Sequence, residues 1–191
     1  DIPLVFTSTD LVFDGKTAPY GETDPPSPLS LYGEHKVLAE QGVLAAWPRA
    51  VVCRLALMYG PGSAPGEGPG PSFLDTLVIA LGERKEMRLF SDEFRTPLCV
   101  SYAASGLLLA VRRGQGLLHL AGPERLSRHA FGLLVADALG RDSTSLLAVR
   151  QRDVPMAAPR PADVSLRIDK ARALGFTPAP VAMALRQLLA A

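Results

Sequence analysis

Tyr32 and Lys36 stand four residues apart in "SPLSLYGEHKVLAE", and a hydroxyl–carboxylate pair, Thr9 and Asp10, precedes them in "TSTDLVFDG". On a helix, positions i and i+4 stack on one face, so the phenol and the ammonium become neighbours. A free phenol titrates near about 10 and is a poor acid–base group at neutral pH. A cation beside it favours the phenolate and makes it a usable proton donor and acceptor for carbonyl chemistry. A hydroxyl on the facing strand end, Thr9 or Ser8, could hold the substrate oxygen beside the phenol, with Asp10 orienting or relaying. The spacing is also common by chance. Alone it more often describes an exposed pair worth a few tenths of a kcal/mol.

The elements that must position these groups are legible from pattern. Leu4, Val5 and Phe6 form an all-apolar run between Pro3 and Ser8, as in a strand buried on both faces. A Pro/Gly/Asp-rich loop over 10–28 leads to a helix over 29–46, which Trp47 and Pro48 end. A second buried strand covers 50–57, "AVVCRLAL", and a third covers 116–122, "GLLHLAG". Helices are expected over 73–81, over 102–113 with Ser101 as N-cap, over 127–139 stopped by Gly140, around 170–174 and near 181–189. Shorter strands are expected over 86–90, 97–100 and 146–149. Strands alternating with helices predict a parallel α/β sheet. Ligand sites in such sheets lie at the carboxyl ends of strands, where Thr9 and Asp10 fall.

The 191 residues carry 20 basic and 19 acidic side chains, a formal charge of +1, and no block of like charge. That balance argues against a generic nucleic-acid binder. No apolar run approaches the roughly 18 residues that span a bilayer, and no secretory signal opens the chain. Cytoplasm is the expected compartment. Cys53 and Cys99 each sit in an apolar strand-like run and read as buried free thiols in preference to a disulfide. Three scattered His (His35, His119, His129) and two distant Cys have no metal-ligand spacing. His35 is expected off the working face of its helix, His119 as a satisfied core imidazole and His129 at the surface.

"STDLVFDG", "PYGETDPPSPLSLYGEHKVLAE", "VVCRLALMYGPG", "FRTPLCV", "GLLHLAG" and "RPADVSL…LGF" occur in this order along nearly the whole chain. Together they resemble the extended short-chain dehydrogenase/reductase superfamily, nearest to its dTDP-4-dehydrorhamnose reductase branch. The resemblance implies the C-terminal part of a doubly wound, Rossmann-type parallel sheet with a small α/β substrate-binding region. The corresponding division is a Rossmann part over 1–60 and a mainly substrate-binding part over 61–191, with a Rossmann strand returning near 116–121. It further implies a catalytic set of Thr9, Asp10, Tyr32 and Lys36, with Tyr32 and Lys36 also meeting the coenzyme, NADPH or NADH. Ser8 and Thr9 would meet the substrate, a nucleotide-linked 4-keto sugar. Arg54 and Arg95 are candidates for its diphosphate, against the alternative of structural ion pairs for both, as for Arg160. Epimerase or dehydratase chemistry on the same substrates would reuse the Tyr and Lys. The branch also includes a noncatalytic regulatory subunit of methionine adenosyltransferase.

Some residues depart from the pattern. The Gly-rich turn that follows the family's first strand is missing from the sequence, so the chain is expected to begin near the family's fifth strand. The glycines between 60 and 70 alternate with prolines that lack N–H donors, and read as a loop beside the substrate. Leu11 and Leu57 stand where the rhamnose branch has aromatic residues, and Tyr102 where it has an acid. The strand edge left without its neighbours would be apolar and open to a second copy of the chain, a homodimer.

Overall fold

The computed structural model describes residues 2–63, 70–156 and 158–190. In its first part β1 (Val5–Thr9), α1 (Leu31–Ala46), β2 (Val51–Leu55), β3 (Met58–Tyr59), α2 (Phe73–Glu83) and β4 (Met87–Phe90) follow one another. Next come β5 (Phe94–Arg95), β6 (Leu98–Cys99), α3 (Val100–Arg113), β7 (Gly116–Leu120) and β8 (Leu126–Ser127). The chain closes with α4 (Arg128–Ala138), β9 (Leu146–Val149), α5 (Asp169–Ala173) and α6 (Val181–Leu189).

The three buried apolar runs form one parallel sheet in the order β1-β2-β7, aligned as Val5 to Val51 and Val51 to Gly116. All five residues of β2, the central strand, are buried, which is why its sequence shows no alternation. Helix α3 lies close on one face of this sheet. A Cβ on Gly106 would stand 3.0 Å from both Leu120 and Phe176, so glycine is what permits the approach. Helix α1 covers the opposite face, reaching Ser8 and Arg54 through Glu40. A second core gathers Tyr59, Leu77, Phe131, Val135 and Leu185 between α2, α4 and α6 and the short strand pairs β3–β6 and β4–β9.

The two edges of the main sheet are treated differently. On β7 the outer backbone groups are occupied: Lys170 Nζ donates to the Gln115 and Leu117 carbonyls, and the His119 N–H donates to Glu22. Among the described residues no strand pairs with the outer side of β1, whose Thr7 carbonyl instead accepts from Lys36 Nζ at 2.9 Å.

Local signals account for most boundaries. Ser30 caps α1 by accepting from the Gly33 N–H, so the helix starts at Leu31 and not two residues earlier. Ser72 and Asp75 form a capping box on α2, and Ser127 caps α4. The expected cap at Ser101 is corrected: α3 begins at Val100 with Cys99 as an N-cap that makes no side-chain bond. Ser101 Oγ lies against Cys99 Sγ at 3.3 Å instead. His119 is buried as expected, but it is not satisfied, since neither ring nitrogen has a hydrogen-bond partner. Desolvation pulls its pKa down to about 4. His129 is half-buried, its Nε2 3.2 Å from the Leu146 carbonyl. Both cysteines are free and buried, and burial pushes the Cys53 thiol up to about 12. The Gly/Pro loop falls partly outside the described residues, at 64–69. Among those described, no helix is long and apolar enough to cross a membrane.

Candidate active site

The carboxyl end of β1 and the first turn of α1 are brought together by a glycine. A Cβ on Gly33 would stand 2.4 Å from the Leu11 carbonyl, so only glycine lets the helix start against the turn that follows β1. This contact sets Tyr32, one residue earlier, over the strand end. One helical turn on, the Lys36 ammonium lies 5.9 Å from the centre of the Tyr32 ring and 5.1 Å from that of Phe6.

Thr9 ends β1 and caps the single turn Asp10–Val12. Its Oγ1 accepts from the Leu11 N–H and donates to Asp10 Oδ1, each at 3.2 Å. Asp10 is buried and its Oδ2 has no hydrogen-bond partner. Burial pushes its pKa up to about 6, against the opposing charge of Arg95 and the Thr9 hydroxyl. The carboxyl can therefore hold or release a proton near neutral pH. Tyr32, by contrast, is half-exposed, with its phenol at the rim.

Thr9, Asp10, Tyr32, Lys36, Arg95 and Leu57 line one cleft of about 320 Å³. Arg128 and Arg160 close its far side, and both also line an adjoining cavity of about 370 Å³ that contains Phe73 and Phe90. A groove of about 450 Å³ runs elsewhere, along α3 between Tyr102 and Thr177. It is the larger space, but it holds none of the groups at the strand ends.

Glu93 anchors the cationic side. Its fully buried carboxylate lies 3.6 Å from Arg95, 3.0 Å from Arg128 and 3.1 Å from Arg160. Burial pushes this carboxyl up, but the three guanidiniums outweigh the effect and hold it below the usual carboxylate value. Arg95 is committed within the protein, its terminal nitrogens donating to the Phe94 and Pro161 carbonyls. Arg128 and Arg160 both meet Glu93 through Nε. Arg160 is half-exposed.

Two of the expected substrate residues are engaged elsewhere. Ser8 lines the cleft, but its hydroxyl donates to Glu40. Arg54 is outside the cleft, only 2% exposed, and doubly bonded to Glu40. The reading from sequence did not include Arg128, Glu93 or Glu40. No motif marks any of them, because each is recruited by contacts distant in the chain. Leu11 and Leu57, where aromatic residues were expected, both line the cleft.

A parallel α/β sheet in the order β1-β2-β7, with helices on both faces, is a Rossmann-like fold. The chain belongs to the RmlD substrate binding domain family, whose model matches residues 1–191. The structure is similar to dTDP-4-dehydrorhamnose reductase of Clostridium acetobutylicum, with a TM-score of 0.86, 25% identity, and coverage of 98% of this chain and 65% of that one. The spore coat polysaccharide biosynthesis protein SpsK of Bacillus subtilis is 28% identical over 186 residues, 97% of this chain and 63% of that protein. Methionine adenosyltransferase 2 subunit beta of Danio rerio is 28% identical over 181 residues, 91% of this chain and 55% of that protein. The chain thus spans between about half and two-thirds of the length of these relatives.

Proposed function

We propose that this chain carries the proton-transfer site and the substrate region of a nicotinamide-dependent reductase acting on a nucleotide-linked keto sugar. The observation that carries this reading is the convergence of Thr9, Asp10, Tyr32 and Lys36 on one cleft whose other wall is cationic. Family membership and the Bacillus subtilis relative, a polysaccharide-biosynthesis protein, support it.

Tyr32 and Lys36 fit the nicotinamide end of a coenzyme, NADH or NADPH: an ammonium and a phenol sit together in the cleft that Asp10 also lines. Hydride is what such a coenzyme supplies when bound. With substrate bound, the Thr9 hydroxyl turns its proton from Asp10 Oδ1 to the substrate carbonyl oxygen, and the Tyr32 phenol gives its proton to the alkoxide that forms there. Lys36 stabilises the phenolate left behind. Asp10 is a second proton-holding group beside Thr9, suited by its raised pKa to reload the site.

The other end of the cleft suits a diphosphate. There Arg95, Arg128 and Arg160 line the cleft and its neighbour, with Asp10 and Glu93 the carboxyls among the described lining residues. Arg128 and Arg160 line both spaces, and guanidiniums there can make charge-assisted bonds to phosphate oxygens. The neighbouring cavity with Phe73 and Phe90 is then the place for the base. Leu11 and Leu57, lacking the aromatic surface of the rhamnose branch, shape a cleft for a sugar other than the deoxythymidine-linked one.

A second reading is a noncatalytic subunit that binds a methionine adenosyltransferase. It is favoured by relatives such as methionine adenosyltransferase 2 subunit beta of Rattus norvegicus, 31% identical over 179 residues. The deciding experiment incubates the full-length protein that carries this chain with coenzyme and a panel of keto sugar nucleotides and follows nicotinamide absorbance. Turnover supports the reductase. No hydride transfer to any of them, with tight binding to a methionine adenosyltransferase, supports the subunit.

A further inference from the structure

Glu40 lies on α1 four residues beyond Lys36 and eight beyond Tyr32, so the three share one face of the helix. It is 4% exposed, and its carboxylate is shared between two strands of the sheet. Ser8 Oγ of β1 donates to Oε1. Arg54 of β2 donates through Nε, 3.0 Å from Oε1, and through Nη2, 2.7 Å from Oε2. Ser8 and Arg54 are partners in the β1–β2 register, so one carboxylate pins the helix across two adjacent strands, one residue below Thr9.

The arrangement is poorly suited to giving stability. A buried ion pair gains little over apolar side chains of similar volume unless every donor is matched. Here Arg54 Nη1 is buried without a hydrogen-bond partner, and the guanidinium rests 5.1 Å from the centre of the Phe13 ring. What a two-strand anchor does supply is direction. It resists sliding or rotation of α1, the movements that would carry Tyr32 and Lys36 away from Thr9. Near the rim the other holds are the packing of Gly33 against the Leu11 carbonyl and the Lys36 bond to the Thr7 carbonyl, since Tyr32 is half-exposed.

We propose that Glu40, through Arg54 and Ser8, is a positioning residue that sets the Tyr32–Lys36 pair against the end of β1. The catalytic part of this inference rests on the reductase reading; the positional part does not. The test is the double variant Glu40→Leu/Arg54→Met, which removes both charges together, with Glu40→Gln as the conservative companion. The double variant is expected to melt within a few degrees of the parent, since exchanging a buried pair for apolar groups is close to neutral. With labelled tyrosine and lysine, the Tyr32 ring and Lys36 ε-methylene NMR signals should shift and broaden, while Tyr59, in the other core, should not change. In turnover, kcat should fall roughly 10- to 100-fold with KM within about twofold, as expected when a reacting group is misplaced. Glu40→Gln, which keeps the bonds to Ser8 and to one Arg54 nitrogen, should recover part of the loss. If the full-length protein that carries the parent chain transfers no hydride, the reductase reading fails and the NMR comparison still decides the positional claim. Parent-like Tyr32 and Lys36 signals in a well-folded double variant, or equal movement of Tyr59, would overturn it.

Discussion

The Lys36 ammonium lies 5.9 Å from the centre of the Tyr32 ring and donates at 2.9 Å to the carbonyl of Thr7, two residues before the Thr9 hydroxyl. The helix and the strand are thus joined at the point where the proposed chemistry occurs. The join depends on Gly33, whose missing side chain makes room for the Leu11 carbonyl. Replacing Gly33 with alanine should push the first turn of α1 off the strand end. We expect activity to fall by more than stability does, measured as turnover against thermal midpoint.

Arg160 is half-exposed and meets Glu93 from the solvent side, so Arg160→Ala should fold normally. A charge-assisted bond to a phosphate is worth about 1.5–3 kcal/mol. KM for a sugar nucleotide should therefore rise roughly 10- to 100-fold, with kcat little changed. Competition by a nucleoside diphosphate should weaken in parallel. An unchanged KM would place the diphosphate elsewhere.

Two buried groups give stability opposing slopes with pH. Asp10 has its folded pKa raised from 3.8 to about 6, so the folded protein holds this proton more tightly, and stability falls as pH rises between those values. His119 has its folded pKa lowered from 6.5 to about 4, so the unfolded chain takes up that proton first, and stability is lost as pH falls through that window. Each effect is on the order of 3 kcal/mol, so they nearly cancel. Asp10→Asn removes one. The variant should be more stable than the parent at pH 7 and should lose stability steeply between pH 6.5 and 4. Parallel melting curves for parent and variant across that range would contradict the assignment.

Much of this architecture was legible because it is local. The β1, β2 and β7 runs are continuous apolar segments, whereas the caps Ser30, Ser72 and Ser127 were not read from the sequence, which placed Ser30 and Ser127 inside their helices. The two-residue strands β3, β5 and β8 were not foreseen, since two residues show no period. Ser101 looked like a cap, but the chain turns helical one residue earlier. At the site, the types and spacing of Thr9, Asp10, Tyr32 and Lys36 drew attention, their proposed roles came from the family resemblance, and the structure brings all four to one cleft. Glu40 and Arg128 were not legible. Glu40 reads as an ordinary surface helix position until Arg54 arrives from β2, and Arg128 has meaning only beside Glu93, 35 residues away.

Tyr32 and Lys36 are the only groups in this chain assigned to the coenzyme, and both serve its nicotinamide end. Pyrophosphate binding in Rossmann sheets depends on N–H groups at a helix start after the first strand, a turn not found in this sequence. Isothermal titration of residues 1–191 alone should therefore show negligible NAD(P)H binding. Micromolar binding would mean that the coenzyme is held by groups other than these.

The central claim is that the Tyr32 phenol protonates the reduced substrate. Tyr32 is 53% exposed, so Tyr32→Phe removes one oxygen and leaves the packing intact. The direct measurement is the single-turnover rate of hydride transfer from nicotinamide coenzyme to the keto sugar nucleotide, in parent and Tyr32→Phe proteins of equal thermal midpoint. The account predicts a fall of roughly 10²- to 10⁴-fold, the usual contribution of a general acid. A Phe variant that transfers hydride at the parent rate would contradict it.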